Sequence, residues 1–434
     1  MHVLKGNQNC NLLLSSGDVI KFIKNTLDLV DSRLENHGII VAYIFWSMLK
    51  EKGGYSDDEL RKFIVLSIFH DIGAYKEEDL NDLFNVEVNK TLPHCIRGYQ
   101  YLYHFSPLSE YAELILYHHL RYDDSSKINF TLINEASILS LADRISLILD
   151  NFDSLYECNI RCLSGAVFSP DAIKLFESCN KNNLLLNKLF TGSYIDEIYA
   201  FLNAFTVPCC NLVKYLELLI YSIDFRSSAT VIHSLATCVL CKTISILLNL
   251  SESEIDFMTF CGFVHDIGKI STPTYILEKK GKLTDDEMAI MKEHAINSYN
   301  ILINLGFDDI AVVASSHHEK LDGSGYPNAL TEDNMSNLIR IICVADILSA
   351  LLGKRSYKNP LEKNEVINIL SDMSLRNKID KDVVEIVISN FDYLTDTLNN
   401  HSESITAFYN MMNSEFKFLY DSIIFRLKES NIWY

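Results

Sequence analysis

A chain of 434 residues with 48% hydrophobic, 11% aromatic and 22% charged side chains has room for two or three globular domains, each with its own core. Its 57 acidic and 38 basic side chains leave a formal net charge of −19, a field that repels a phosphate backbone and argues against bulk nucleic acid as a partner. The eleven cysteines lack zinc-ribbon spacing, the first residues lack a signal-peptide pattern, and no charge-free apolar stretch reaches about 18 residues. The reading is a cytoplasmic protein in a reducing compartment, with no membrane contact. A small phosphorylated substrate would need local cations, either metals or placed Lys and Arg.

In chain order, residues 1–11 read as a frayed start. From Ser16, the apolar residues Val19, Ile20, Ile23, Leu27 and Val30 recur at helical intervals. A run containing His37 follows, then a turn at Gly53-Gly54, then a helix from near Asp57 that ends in FHDIGAYK with His70 and Asp71. PHCIRGYQYL carries His94, SEYAELILYHH ends in His118 and His119, and NEASILSLADRISLIL carries Asp143. Residues 151–215 read as helices completing this bundle, with a turn over 164–170 and a loop over 206–210. With 7 prolines, 16 glycines and no alternating strand series, the fold class is all-α.

The second half replays this order. His233 opens a helix whose Cys238 and Cys241 read as two small apolar residues on one face. Ser251 and Glu254 stand as a capping box before the helix that ends in His265-Asp266. EMAIMKEHAINS carries His294, DIAVVASSHH ends in His317-His318, and IRIICVADILSALL carries Asp346. The tail from Lys363 to Leu427 reads as further helices. The expected organisation is two helical bundles in tandem, residues 12–210 and 211–434, with the tail in the second.

The repeat is one of ligand chemistry. His37, His70-Asp71, His94, His118-His119 and Asp143 match His233, His265-Asp266, His294, His317-His318 and Asp346 in order. The first intervals are near-equal, 33 residues from His37 to His70 and 32 from His233 to His265. Ten of the thirteen histidines fall into this scheme. One buried histidine is ordinarily a satisfied core residue; two matching sets of five with two aspartates point to metal binding. Imidazole and carboxylate donors without thiolate suit Fe, Mn or Zn at a working site rather than a structural zinc. Adjacent histidines diverge mid-helix, so 118–119 and 317–318 are expected at helix ends.

These residues resemble the HD phosphohydrolase superfamily, and the second half resembles its HD-GYP branch. The matching stretches are HDIGK (265–269), HHE-x-x-DGSGYP (317–327) and ADILSAL (345–351). The tandem arrangement is similar to the group that includes bacterial cyclic GMP-AMP phosphodiesterases. The resemblance implies hydrolysis of a cyclic dinucleotide, 3′,3′-cyclic GMP-AMP or cyclic di-GMP, to a linear dinucleotide by the second copy. It implies two divalent transition metals there, Fe or Mn. His233, His265, Asp266 and Asp346 would hold one and Asp266, His294, His317 and His318 the other, with Asp266 bridging. Lys269 would contact the scissile phosphate, and Asp322, Gly323, Gly325, Tyr326 and Pro327 would form the loop beside the site. Arg340 is a candidate for substrate binding, with a helix-surface ion pair as the alternative.

Departures from the family pattern qualify this. Ala229 stands where some members carry a glutamate for a third metal, so two are expected. Ser349 replaces a usual second aspartate, which puts its supporting contact in doubt. In the first copy Ala74 replaces the lysine, with Lys76 two residues on, and the GYP loop is absent. A further metal at His37, His70, Asp71, His94, His118, His119 and Asp143 is expected with little or no turnover. The competing readings are a non-hydrolytic cyclic-dinucleotide sensor and a phosphohydrolase acting on another nucleotide. Oligomeric state is not legible.

Overall fold

In the computed structural model, residues 14–29, 36–74, 88–149, 160–224, 228–277, 279, 281–353 and 361–428 are described. Lys76 lies outside them. The described residues divide into two compact units, one over 14–218 with 412–428 and the other over 219–411. Both are helical, as expected. Among the described residues the exceptions are a two-residue antiparallel pair, Leu14–Ser15 with Thr206–Val207, and two isolated bridges.

In the first unit the helix His37–Lys52 is apolar around its whole circumference, and Ile39, Val41, Ile44, Phe45, Met48 and Leu49 are all buried. A helix without a polar face can only sit in a core. It packs against Asp57–Ile68 and Ile133–Leu149. Asp57–Ile68 starts at a capping box between Ser56 and Glu59 and stops just before His70-Asp71. Val88–Phe105 carries His94, and the short helix Ala112–Leu116 delivers His118 and His119 in the turn beyond it.

The second unit repeats these parts. Ser228–Leu247 packs against Glu252–Val264 and Asn337–Leu352. The capping box at Ser251 and Glu254 is present, and the helix it starts ends immediately before His265. Asp285–Ile303 carries His294, and Asp308–Ser315 ends just before His317-His318. Both histidine pairs therefore sit past helix ends, as their adjacency required. Cys238 and Cys241 are free and fully buried, in keeping with a packing role.

Two expectations are corrected. The segment 206–210 is not a loop: Thr206–Val207 is a strand, and Cys209 begins the helix Cys209–Asp224. The tail does not belong wholly to the second unit. The helix Phe391–Lys428 leaves it at Met411, and Ile423 joins a core with Leu92, Ile96 and Leu116 of the first unit. The apolar face expected over 416–427 is buried there, with Phe416, Leu419 and Tyr420 packed around it.

Candidate metal centres

In the second unit a single carboxylate divides the ligand set. Asp266 Oδ2 lies 3.2 Å from His265 Nε2 and 3.5 Å from His233 Nε2, while Oδ1 lies 3.4 Å from His294 Nε2 and 3.7 Å from His317 Nε2. Asp346 closes the ring, with Oδ1 3.1 Å from His233 Nε2 and Oδ2 3.4 Å from His318 Nδ1. All seven predicted ligands meet in one place.

The imidazoles are oriented from behind. His265, His294 and His317 donate Nδ1–H to the carbonyls of Gly262, Met291 and Ala314, each three residues earlier. A carbonyl can only accept, so each Nε2 presents a lone pair inward. For His233 the partner is Ser349 Oγ, 2.8 Å from Nδ1, which in turn donates to the Asp346 carbonyl. The supporting contact doubted at Ser349 is therefore made by a hydroxyl instead of a carboxylate.

Charge follows geometry. Burial pushes the Asp266 carboxyl up, but His265 and Lys269 beside it outweigh this and hold it well below its ordinary value. Burial takes His294 down to about 4, and burial with His318 and His265 alongside keeps His317 well below its usual range. The site thus offers ionised carboxylates and, at His294 and His317, neutral imidazoles, the forms that bind cations. At His265 burial is outweighed by the Asp266 carboxylate, which raises the imidazole, so an ion there displaces a proton. His265 Nε2 and Asp266 Oδ1 are buried with no hydrogen-bond partner among the described residues. Such atoms are costly unless a ligand meets them, and the donor set fits divalent cations.

Lys269 donates to Asp266 Oδ2 at the open side of this cluster. Tyr326 places its ring 4.7 Å from that of His318, and the Lys292 ammonium stands over the same ring, 5.2 Å from its centroid. The other predicted loop residues shape the turn. Asp322 accepts from the amide and hydroxyl of Ser324, and Gly323 has a φ of 75°. A side chain at Gly325 would put its Cβ 2.5 Å from Glu319 Cα, so only glycine fits. Pro327 follows Tyr326 through a cis peptide. Arg340 is not at the site. Its guanidinium is committed to Asp380 and to the carbonyls of Met335 and Glu332, the ion-pair alternative.

Sequence reasoning missed two supports. Glu319, 1% exposed, accepts from the amides of Asn328 and Leu330 and so ties the loop down from within. The glutamate following the histidine pair was the signal for it. Ser298 accepts from Gly268 N and donates to the His265 carbonyl, pinning the HDIGK turn. It stands one helical turn after His294, on the same face.

The first unit rebuilds the frame. His37 Nε2 lies 3.2 Å from Asp143 Oδ1, His70 Nε2 lies 3.1 Å from Asp71 Oδ2, and His94 and His118 approach Asp71 Oδ1 at 3.6 and 3.8 Å. His70 and His118 donate Nδ1–H to carbonyls three residues earlier, and Ser146 meets His37 as Ser349 meets His233. His118 Nε2, His119 Nε2 and Asp71 Oδ1 are buried without hydrogen-bond partners among the described residues. At the lysine position stands buried Ala74. A cysteine also lies among these histidines. The ligand atoms of His94, Cys95, His118 and His119 lie within 4.8 Å of one another.

The HD domain family matches residues 34–148 and, separately, residues 218–383. The chain carries two HD domains in tandem. The 3′3′-cGAMP-specific phosphodiesterase 1 of Vibrio cholerae is 28% identical over 85% of this chain and 90% of its own length. The 3′3′-cGAMP-specific phosphodiesterase 3 of the same organism is 30% identical over 56% of this chain and 55% of its own. A cyclic di-GMP phosphodiesterase of Thermotoga maritima is 33% identical over 45% and 54%. The chain thus spans about half the length of these last two. A solved cyclic GMP-AMP specific phosphodiesterase from V. cholerae shares the fold, with a TM-score of 0.55 at 20% identity over 89% of this chain and 98% of that one. Among the described residues no helix is long and apolar enough to cross a membrane. Among the described residues both HD domains keep the His-Asp frame, and the second alone adds a lysine and a tyrosine-bearing loop.

Proposed function

We propose that this chain is a metal-dependent phosphodiesterase that opens a cyclic dinucleotide to its linear form, and that the second HD domain does the work. The observation that carries this is the Asp266 carboxylate, shared between two histidine groups with Lys269 at its open side. His233, His265, Asp266 and Asp346 would hold one ion and Asp266, His294, His317 and His318 the other, with Mn or Fe suited to these donors. When bound, the pair activates water for in-line attack and neutralises charge growing on the phosphate.

The chain supplies the remainder. The carbonyl-anchored imidazoles keep their geometry without reorganising during reaction. Lys269 is a point charge poised for a phosphate oxygen once Asp266 turns to its metals. Tyr326, held by the loop that Glu319 ties down, offers an aromatic ring on which a base can stack, and Lys292 adds a cation near that ring. The relatives named for cyclic GMP-AMP and cyclic di-GMP support the substrate class. The net charge of −19 makes such local cations necessary for any phosphorylated substrate.

The test is turnover. Purified protein loaded with Mn²⁺ or Fe²⁺ is incubated with 3′,3′-cyclic GMP-AMP, cyclic di-GMP and cyclic di-AMP, and the products are resolved by chromatography. A linear dinucleotide from at least one is the expected result. Tight binding without cleavage of any would make the domain a sensor and overturn the proposal.

A further inference from the structure

Two glycines in equivalent surroundings set the correspondence between the HD domains. A Cβ added at Gly73 would fall 2.0 Å from the His94 carbonyl and 2.5 Å from Gly98 N; one added at Gly268 would fall 2.1 Å from the His294 carbonyl and 2.4 Å from Ser298 N. His94 thus corresponds to His294 and Gly98 to Ser298. The residue after each histidine also corresponds, and there the domains part: Ala295 in the second, Cys95 in the first. Both are buried, at 0% and 1% exposure.

Cys95 is not isolated. Its Sγ lies 3.7 Å from His94 Nε2, and the ligand atoms of His94, Cys95, His118 and His119 all fall within 4.8 Å of one another. Zn–S and Zn–N bonds of about 2.3 and 2.0 Å place tetrahedral donors roughly 3.5 Å apart, so small adjustments bring the four to one ion. His118 directs Nε2 inward, because its Nδ1–H is given to the Ile115 carbonyl. That Nε2, on a residue with 0% exposure, has no hydrogen-bond partner among the described residues.

A second observation bears on access. The small cavity against Cys95 and His119 is walled by Leu116 and by Ile423 of the C-terminal helix. Apolar side chains thus border the cluster on this side. Four donors from one chain complete a tetrahedral shell, the mark of a structural zinc site, whereas catalytic zinc keeps one position open. Soft thiolate also selects zinc over the harder Mn²⁺.

We infer that the first HD domain holds a thiolate-bearing zinc site formed by His94, Cys95, His118 and His119, a structural centre unlike the one in the second domain. This does not depend on the catalytic reading of the second domain, since its readout is metal and spectrum and not turnover.

The probe is Co²⁺, which replaces zinc and shows a thiolate-to-cobalt charge-transfer absorption in the near ultraviolet when sulfur binds it. The Co²⁺-loaded full chain is expected to show this absorption, and so is the chain carrying His265→Ala with Asp266→Ala. Cys95→Ala, which copies Ala295, is expected to lose it, as is Cys95→Ser with its side chain nearer in size. Zinc retained after dialysis against a chelator should fall by about one ion per chain in both Cys95 variants. Absence of the band in the unaltered chain overturns the inference without any variant having to fold. A band that persists in Cys95→Ala overturns it too, placing the thiolate elsewhere.

Discussion

The two HD domains share a ligand frame and differ in what stands over it. In each, an aspartate next to a histidine divides its two oxygens between ligand groups, and a serine three residues after the distal aspartate supports the first histidine. Over the second frame stand Lys269 and the Tyr326 loop. Over the first stand Ala74 and the apolar end of the C-terminal helix, with a thiol set among the histidines. The frame is hard to vary because helix ends and backbone carbonyls fix it. Its surroundings are single side chains and a loop, which change freely. Chemistry is therefore decided above the frame, and two like frames need not share an activity.

The sharpest way to break this comparison is to remove the shared carboxylate from each domain in turn. Asp266→Ala leaves both ligand groups of the second domain incomplete and is expected to abolish cyclic-dinucleotide cleavage. Asp71→Ala in the first domain is expected to lower metal content while turnover stays within a few-fold of the unaltered chain. Steady-state rates with elemental analysis of both variants decide it. Equal losses of turnover would mean that the domains do not divide the work.

Next in size is the charge above the frame. Lys269→Ala is expected to keep both metals and to lose about 10²–10³-fold in kcat, the effect of deleting one group aimed at developing charge. Loss of metal from this variant would instead make Lys269 part of the frame, and the contrast with Ala74 would lose its meaning.

Much of this contrast was legible in the sequence. The helical class, the tandem order and the histidine pairs at helix ends follow from spacing, because ligands on helices recur with the helices that carry them. HDIGK against HDIGA showed the lysine difference directly. Contacts between residues distant in the chain were not legible. Arg340 was open to two readings until Asp380 was seen 2.9 Å away, forty positions on. The tail was assigned to the nearer unit because periodicity marks a buried face without saying what buries it. Cys95 carries no signal in the sequence, since a cysteine inside a helix is ordinarily a small apolar residue, and it is the three neighbouring imidazoles that change that. Ser349 was judged by its difference from aspartate, when its hydroxyl suffices to orient His233.

That last point gives a symmetrical test of smaller effect. Ser349→Ala removes the partner of His233 Nδ1, and Ser146→Ala that of His37. Each is expected to weaken metal binding in its own domain by about 10–100-fold, the usual cost of losing a group that orients a ligand. Competition with a chromogenic chelator measures both. An unchanged affinity in either would show that its histidine is held by packing alone and that the two frames are supported differently.

The smallest expected effect concerns the helix over the first domain. Gln100 donates to the Met412 carbonyl and to Glu415, and His104 Nε2 lies 3.0 Å from Glu415 Oε2. The His104 hydrogen bond lowers the Glu415 carboxyl below its ordinary 4.5, against the opposing effect of burial and with help from Gln100. A carboxyl whose folded pKa is depressed favours the docked helix at pH values above the unfolded pKa, and the benefit is lost as pH falls through the folded one. Docking of residues 412–428 should therefore be fully supported above about pH 4.5 and loosen on acidification below it. Glu415 is 26% exposed in its side chain, so solvent screening keeps its share small. Hydrogen exchange of this helix, corrected for intrinsic rates across a pH series, reads the step directly. Glu415→Gln keeps the shape and an acceptor for Gln100 but cannot ionise, so its exchange should be faster at neutral pH and lack the acid step. If the step survives in that variant, another carboxyl anchors the helix. Docking of the helix would then rest on its other contacts, those of Ile423, Phe416 and Leu419 among them.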